Sequence, residues 1–139
     1  MRRNEMIKIL FVCHGNICRS VMAEYLCKYL RPDLYCESMA VSYEEEGNDI
    51  YPPAKRCLER HDIPYGRHRA RRIQKEDYDR FDEIYVMDRN NLYRLDRIVE
   101  DTQHKVKMLN EYEIEDPWYT GNYDKVYEEI KEGIEKISE

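Results

Sequence analysis

The stretch from residue 7 to residue 25 constrains the fold of this chain more than any other. A largely apolar run, IKILFV, is followed by residues 13–20, CHGNICRS, and then by a helical pattern that begins at Val21. This order predicts a buried strand, a tight loop opened by the thiol of Cys13 and closed by Arg19, and a helix directly behind the loop. Because the amino-terminal end of such a helix attracts anions, the stretch predicts an anion-binding site.

The rest of the chain alternates predicted strands and helices. Further strands are predicted at residues 34–39, 81–87 and 105–109. Helices are predicted to start at Pro52-Pro53, to follow Asp88 as N-cap, and to cover the periodic segment 123–137. Segments 41–51, 64–72 and 110–122 read as irregular connections.

This alternation predicts an α/β fold in a single domain over residues 1–139. We expect a four-stranded parallel sheet with helices on both faces and a phosphate-binding loop after the first strand. Ligands of such folds bind beyond the carboxyl ends of the strands. The loop at Cys13 and the segment around Asp116 should therefore meet at that edge.

Composition excludes several classes of protein. The net charge is −6 with both signs interspersed, which argues against a nucleic-acid binder. No apolar stretch approaches the roughly 18 residues of a membrane span, and the run after residues 1–5 is too short for a signal peptide. Five cysteines without a secretory signal predict reduced thiols and a cytoplasmic location. We expect a monomer that binds no nucleic acid and no membrane.

The loop itself suits phosphate chemistry. Five residues between Cys13 and Arg19 can wrap around one anion while the thiol lies beneath it. Gly15 removes a Cβ where the backbone approaches the ligand, and Asn16 tolerates a left-handed conformation. The backbone N–H groups and the guanidinium of the loop also favour a thiolate, to which Ser20 could donate a hydrogen bond. The guanidinium of Arg19 can hold two phosphate oxygens at once. A phosphate-binding loop of this kind also makes a nucleophile.

Residues 12–20, VCHGNICRS, resemble the signature of the low-molecular-weight protein tyrosine phosphatases. A second motif, Asp116-Pro117-Trp118, resembles the general-acid loop of that family and lies at the expected distance near the carboxyl terminus. Motifs around Ser38, His68 and residues 87–91 also fall where the family places similar ones, so the resemblance covers nearly the whole chain. Val21 departs from it, because the family commonly has proline there, and His14 is an unusual polar residue at a variable position.

The resemblance implies a two-step hydrolysis of phosphotyrosine in proteins or peptides, and of small aryl phosphates. Cys13 would attack phosphorus and form a phosphocysteine while Asp116 protonates the leaving oxygen; Asp116 would then take a proton from water, and inorganic phosphate would leave. Arg19 and the loop amides would hold the charge. No cofactor and no metal ion is expected.

The predicted site residues fall into three groups. The phosphate-binding loop comprises Cys13, His14, Gly15, Asn16, Ile17, Cys18 and Arg19. The side chains expected to support it are Asn16, Ser20, Ser38 and His68. The residues expected to line the substrate cleft are Tyr43, Trp118 and Tyr119, and residues 44–46, all glutamate, would disfavour acidic peptides if they rim it.

Alternatives remain for the function and for Cys18. Arsenate reductases resemble this loop but pass a disulfide to later cysteines, and none follows Cys57. Phosphoarginine phosphatases carry threonine where this chain has Ile17. A module that only binds phosphate would not need Asp116. A zinc site could use Cys13, Cys18 and His14, but no second pair of ligands follows downstream. Cys18 is either a reversible disulfide partner of Cys13 or a small core residue.

Overall fold

One parallel sheet organises the computed structural model, which describes residues 6–137 of the chain. Within that range four strands pair in the order β2-β1-β3-β4. They are β1 Ile7–Cys13, β2 Leu34–Ala40, β3 Glu83–Val86 and β4 Val106–Met108. Residues 1–5, which precede the first strand, and residues 138–139 of the predicted domain lie outside the described residues.

Helices connect the strands and cover the sheet. They are α1 Arg19–Leu30, α2 Pro52–Arg60, α3 Arg89–Asp96, α4 Pro117–Thr120 and α5 Tyr123–Glu135, with a 3-10 helix at Lys75–Arg80. No helix in the described part of the chain is both long and apolar enough to cross a membrane.

Alternate residues of β1 face two separate apolar clusters. Ile9 and Phe11 belong to a cluster with side chains of α1, α2 and α5. Leu10 and Val12 belong to a second cluster, which also contains Tyr78 of the 3-10 helix, Leu95 of α3 and Val99 beyond that helix. Because a strand turns successive side chains to opposite faces, the central strand is buried on both sides. The predicted α/β fold, with one parallel sheet between two helical layers, is confirmed.

Several boundaries differ from the predicted ones. Helix α1 begins at Arg19 rather than Val21, because the chain turns helical as soon as the loop closes. The 3-10 helix was not predicted; it is fixed by Asp77, whose carboxylate accepts the backbone N–H of Gln74 at 2.8 Å. Helix α4 lies inside a segment predicted to be irregular. The third and fourth strands are shorter than predicted, although Lys105 and Leu109, which flank β4, still form backbone hydrogen bonds with β3.

The carboxyl ends of the strands place three loops side by side. Strand β1 ends at Cys13, Asp88 follows β3, and the segment after β4 returns through Ile114 to Asp116. The backbone N–H of Ile114 donates to the carbonyl of Met87 at 2.9 Å, which ties this last segment to the end of β3. The predicted ligand edge is thus the place where the chemistry-bearing loops meet.

Candidate active site

Asn16 holds the loop between β1 and α1 in its curved shape. Its backbone is left-handed, with φ of 64°, as its residue type allows. Its side-chain amide donates to the hydroxyls of Ser20 at 2.8 Å and Ser38 at 3.0 Å. Nε2 of His68 donates to the carbonyl oxygen of Asn16 at 2.7 Å. Since Asn16 is fully buried, these contacts fix both its backbone and its side chain.

The thiol of Cys13 lies at the base of this loop among hydrogen-bonding groups. As a thiol it donates to Oγ of Ser20 at 3.0 Å, and the backbone N–H of Ser20 points to its sulfur at 3.4 Å. The Ser20 oxygen also accepts from Asn16, so its own proton stays free to turn toward the sulfur when Cys13 is deprotonated. The site can therefore stabilise a thiolate without moving the loop.

Arg19 is the most deeply buried cation of the site, with 2% of its surface exposed. Its Nη1 donates to Oδ2 of Asp88 at 2.7 Å and to the carbonyl of Ile114 at 2.8 Å, and its Nη2 lies 3.5 Å from Oδ2 of Asp116. Burial alone would lower the pKa of Arg19, but its interactions with Cys13, Asp88 and Asp116 raise it instead. The guanidinium thus stays charged in a site with little water.

Asp116 reaches the same cavity from the other end of the chain. Its backbone is extended, with φ of −84° and ψ of 109°, as the following Pro117 requires. Its Oδ1 accepts the backbone N–H of Trp118 at 3.0 Å and so caps α4, while its Oδ2 faces Arg19. The two oxygens of this carboxylate therefore have separate partners.

A cavity of about 120 Å³ opens over the thiol. Its lining combines the loop, the aspartate and two aromatic side chains: Cys13, His14, Ile17, Cys18, Arg19, Glu44, Glu45, Asp116, Trp118 and Tyr119. The rings of Trp118 and Tyr119 meet edge to face, with centroids 4.9 Å apart; Trp118 is about half exposed and Tyr119 is largely exposed. A thiol, a guanidinium and a carboxyl group thus share one slot with an aromatic lip.

Comparison with known proteins decides the family. Residues 8–139 match the family described as low molecular weight phosphotyrosine protein phosphatase. The chain belongs to this family. It is 34% identical to the low molecular weight protein-tyrosine-phosphatase YfkJ of Bacillus subtilis, over 95% of this chain and 94% of that protein. The family resemblance and the assignment to the protein-tyrosine-phosphatase class of hydrolases are confirmed.

Other members agree in sequence and in fold. The low molecular weight phosphotyrosine protein phosphatase of Homo sapiens is 39% identical over 84% of this chain and 82% of its own length. The crystal structure of the low molecular weight protein tyrosine phosphatase SP-PTP from Streptococcus pyogenes superposes with a TM-score of 0.85 at 33% identity, covering 96% of this chain and 95% of that one.

Tyr43 and Gly15 of this phosphatase have contacts that the sequence did not indicate. Tyr43 does not line the cavity: its ring lies 4.7 Å from the guanidinium of Arg72, and its hydroxyl accepts from Arg72 at 3.0 Å and from Gln74 at 3.2 Å. Gly15 has no left-handed φ, and a Cβ there would come within 3.1 Å of Cγ of Glu45. Its small size therefore makes room for Glu45 at the rim.

The remaining loop residues lie at or near the cavity. Nε2 of His14 contacts Glu44 at 3.1 Å, and Ile17 is buried against the rest of the loop. The sulfur of Cys18 lies 3.7 Å from the hydroxyl of Tyr123. Burial raises the pKa of the Cys18 thiol to about 12, which the contact with Tyr123 opposes only in part. All five cysteines are free thiols, and the disulfide between Cys13 and Cys18 stays a prediction.

The contacts of two residues near the site, Glu24 and Asp88, were not predicted from the sequence. The Ser38 hydroxyl donates to Oε1 of Glu24 at 2.6 Å, and Lys28 donates to Oε2 of Glu24 at 2.6 Å. These bonds extend the support of the loop to the protein surface. Asp88 was predicted as an N-cap and as part of a family-like motif. It does accept the N–H of Asn91 at 2.7 Å, and its second oxygen holds Arg19, a contact that was not predicted. Ser20 and Glu24 are four residues apart and so lie on one face of α1, which was the available signal that Glu24 lies near the loop.

One group of side chains among residues 6–137 has the donor atoms and spacing to share a cation, and it lies apart from the cavity. Cys57, His61 and Asp124 place their ligand atoms within 4.8 Å of one another. Nε2 of His61 contacts Asp124 at 2.9 Å, and Arg60 donates to the same carboxylate oxygen at 3.1 Å. These contacts form an ion-paired link between α2 and α5.

Proposed function

We propose that this protein hydrolyses phosphotyrosine in proteins and peptides, and small aryl phosphates, through a phosphocysteine intermediate. The observation that carries the proposal is the meeting of Cys13, Arg19 and Asp116 at one cavity, although Asp116 is about a hundred residues away in sequence. A module that only binds phosphate has no use for a carboxylic acid beside the leaving group.

In the first step the Cys13 thiolate attacks phosphorus and a sulfur–phosphorus bond forms. The bond from phosphorus to the phenol oxygen breaks, and that oxygen takes a proton from Asp116 in its protonated form. Arg19 and the backbone N–H groups of the loop hold the three non-reacting oxygens, whose charge they balance throughout. Because Oδ1 of Asp116 caps α4, we assign the proton transfer to Oδ2.

In the second step a water molecule replaces the departed phenol. Asp116, now a carboxylate, takes a proton from this water as its oxygen attacks phosphorus. The sulfur–phosphorus bond breaks, inorganic phosphate leaves, and the Cys13 thiolate is restored. Ser20 supports the thiolate in both steps by turning its hydroxyl proton toward the sulfur.

Substrate choice follows from the walls of the slot. Trp118 and Tyr119 provide apolar faces at its lip, which suit a phenyl ring, and a slot of this kind favours phosphotyrosine over the shorter phosphoserine. Ile17 lies within the loop and favours tyrosine over phosphoarginine, for which the related enzymes carry threonine. We further propose that residues 1–139 form one domain that acts as a monomer in the cytoplasm, where free thiols persist.

Replacement of the nucleophile tests the proposal. In the Cys13→Ser variant we expect no measurable turnover of 4-nitrophenyl phosphate, while phosphate or vanadate still binds. Cys36→Ser is the matched control, since it changes a buried cysteine that does not line the cavity. Retained turnover in Cys13→Ser would reject the assignment of the nucleophile.

The general acid has its own test. Asp116→Asn should slow hydrolysis by about 10²- to 10⁴-fold, the usual contribution of a general acid. A change below about threefold would argue against this role.

A substrate panel separates the alternatives. It comprises phosphotyrosine, phosphoarginine and phosphoserine peptides, together with arsenate and a thiol reductant. We expect turnover of the phosphotyrosine peptide. Turnover of phosphoarginine alone would overturn the argument from Ile17, and arsenate reduction alone would favour the reductase.

A further inference from the structure

Three arginines surround a depression beside the active site. Its lining is Val41, Arg72, Arg94, Arg97 and Ile98, and its volume is about 280 Å³. We refer to these five residues as the arginine depression. Arg94 belongs to the last turn of α3 and Arg97 follows that helix, whereas Arg72 comes from the connection before the 3-10 helix. Separate elements of the fold thus bring the positive charges together.

These three guanidiniums lack a close acidic partner in the described part of the chain. Among residues 6–137 none of the three guanidiniums has an acidic side chain within 4.0 Å, although the chain as a whole carries a net charge of −6. Glu46 accepts from the backbone N–H of Arg72 at 3.1 Å and not from its guanidinium. Three like charges close together without a counter-charge are favourable places for an anion.

Two tyrosines orient two of the three arginines, Arg72 and Arg97, and leave their charge intact. The Tyr43 ring stacks 4.7 Å from the guanidinium of Arg72 and its hydroxyl accepts from Arg72. The Tyr93 ring lies 5.7 Å from the guanidinium of Arg97 and its hydroxyl accepts at 3.4 Å. A neutral phenol can hold a guanidinium in place without replacing an anionic partner. The structure thus gives Tyr43 a role at this depression.

Arg94 is shared between the arginine depression and a cavity next to the active site. A cavity of about 310 Å³ adjoins the catalytic slot and is lined by Arg19, Asp116 and Tyr119 together with Arg94. The same Arg94 lines the arginine depression. A peptide whose phosphotyrosine lies on Cys13 can therefore extend over this adjoining cavity and bring a neighbouring side chain to the three arginines.

The glutamates of the rim carry the opposite charge and lie outside the arginine depression. Glu44 and Glu45 line the catalytic slot, and Glu44 also lines the adjoining cavity, but neither lines the arginine depression. The surface around the slot is therefore electrostatically uneven. An acidic residue on one flank of the phosphotyrosine would meet arginines, whereas an acidic residue near Glu44 would be repelled.

We propose that the arginine depression binds an anionic side chain on one flank of the phosphotyrosine in the substrate, either a carboxylate or a second phosphoryl group. This inference rests on the proposed function. Guanidiniums hold the oxygens of both groups in a two-pronged geometry, so the shared chemistry is an anion with paired oxygens. The depression thereby makes this phosphatase selective among phosphotyrosine sequences.

Steady-state hydrolysis of a peptide series at low salt tests the proposal. One phosphotyrosine peptide has alanine on both flanks; others carry glutamate on the amino-terminal flank, glutamate on the carboxyl-terminal flank, or phosphoserine on either flank. We expect KM to fall about 3- to 10-fold for one flank only, which is the scale of one or two exposed ion pairs. The glutamate and phosphoserine peptides show which of the two anions is preferred.

Matched variants connect this effect to the arginines. In Arg94→Gln/Arg97→Gln the KM ratio between the alanine peptide and the favoured acidic peptide should fall to about one. The control Arg56→Gln/Lys107→Gln removes the same charge from exposed positions elsewhere and should keep the ratio. Added salt should reduce the ratio in the unmodified enzyme.

The outcomes separate this inference from the proposed function. If the alanine-flanked peptide is not hydrolysed, the proposed function fails. If it is hydrolysed but no acidic flank lowers KM, or if the control double variant loses the ratio equally, the arginine depression is not a substrate site. A lower melting temperature of Arg94→Gln/Arg97→Gln with an unchanged KM ratio would also overturn the inference, since it would assign these arginines only to the end of α3.

Discussion

Nη1 of Arg19 donates a hydrogen bond of 2.7 Å to Oδ2 of Asp88, while Oδ1 of Asp88 accepts the backbone N–H of Asn91 at the start of α3. One aspartate therefore connects the Arg19 guanidinium to the first turn of a helix. Since the Ile114 carbonyl accepts from the same Nη1, the guanidinium is held on one side and leaves Nη2 for the cavity.

Asp88→Asn separates these two roles. Asparagine can still cap α3, but it replaces an ionic hydrogen bond to Arg19 with a neutral one. We expect kcat/KM for an aryl phosphate to fall about 10- to 100-fold, with little change in melting temperature. Asp88→Ala should show the same loss of activity and an additional destabilisation of about 1 kcal/mol from the missing cap. Activity of Asp88→Asn within twofold of the unmodified enzyme would contradict this role.

Asn16 combines a backbone requirement with a side-chain function, and two substitutions distinguish them. Both Asn16→Gly and Asn16→Ala lose the amide that braces Ser20 and Ser38, so both should lose at least about tenfold in activity. Only alanine is strained at a φ of 64°, which should lower its free energy of unfolding by about 1–2 kcal/mol relative to the glycine variant. Urea denaturation measures this difference. Equal stability of the two variants would show that the loop relaxes elsewhere.

The buried thiol of Cys18 should make the free energy of unfolding depend on pH in the alkaline range. Burial raises its pKa to about 12, above the value of 9.0 for a free thiol, so the folded protein retains a proton that the unfolded chain releases. The stabilising contribution is complete below about pH 9 and is lost as the pH rises toward about 12. In Cys18→Ala the free energy of unfolding should therefore fall less steeply above pH 9. Identical slopes for the two proteins would contradict the raised pKa.

Gly133 packs so closely against Leu109 that a side chain at this position of α5 should destabilise the protein. A Cβ at this position would lie 2.6 Å from Cγ of Leu109 and 2.8 Å from its carbonyl oxygen. Alanine favours a helix over glycine by about 1 kcal/mol, but this clash should make Gly133→Ala less stable by about 1–3 kcal/mol overall. Glu128→Ala, at an exposed position of the same helix, should stay within about 0.5 kcal/mol of the unmodified protein. A stabilised Gly133→Ala variant would mean that Leu109 moves aside at little cost.

Local patterns made much of the fold and of the loop predictable. A strand buried on both faces has a nearly continuous apolar run, and β1 has one, so its central place in a parallel sheet could be expected. The left-handed Asn16 followed from residue type alone. The proximity of Cys13 and Asp116 could be predicted because both motifs follow strands, and a parallel sheet brings the loops after its strands together at one edge.

Contacts between distant segments were not accessible in this way. Tyr43 was expected to line the substrate cleft, yet Arg72, which is 29 positions further along the chain, holds its ring elsewhere. The bond between Arg19 and Asp88 depends on how far α3 begins beyond the end of β3, which no local pattern specifies. Side-chain direction at loop positions is set by such tertiary contacts.

The aromatic lip of the slot contains the chain's single tryptophan. Trp118 lines the cavity, is about half exposed, and lies with its ring centroid 6.4 Å from that of Tyr51 and 4.9 Å from that of Tyr119. A ligand that enters the slot replaces water on one side of the indole, and no second indole contributes to the emission. The intrinsic fluorescence of the unlabelled protein is therefore an optical signal of active-site occupancy, by which binding and turnover can be followed separately.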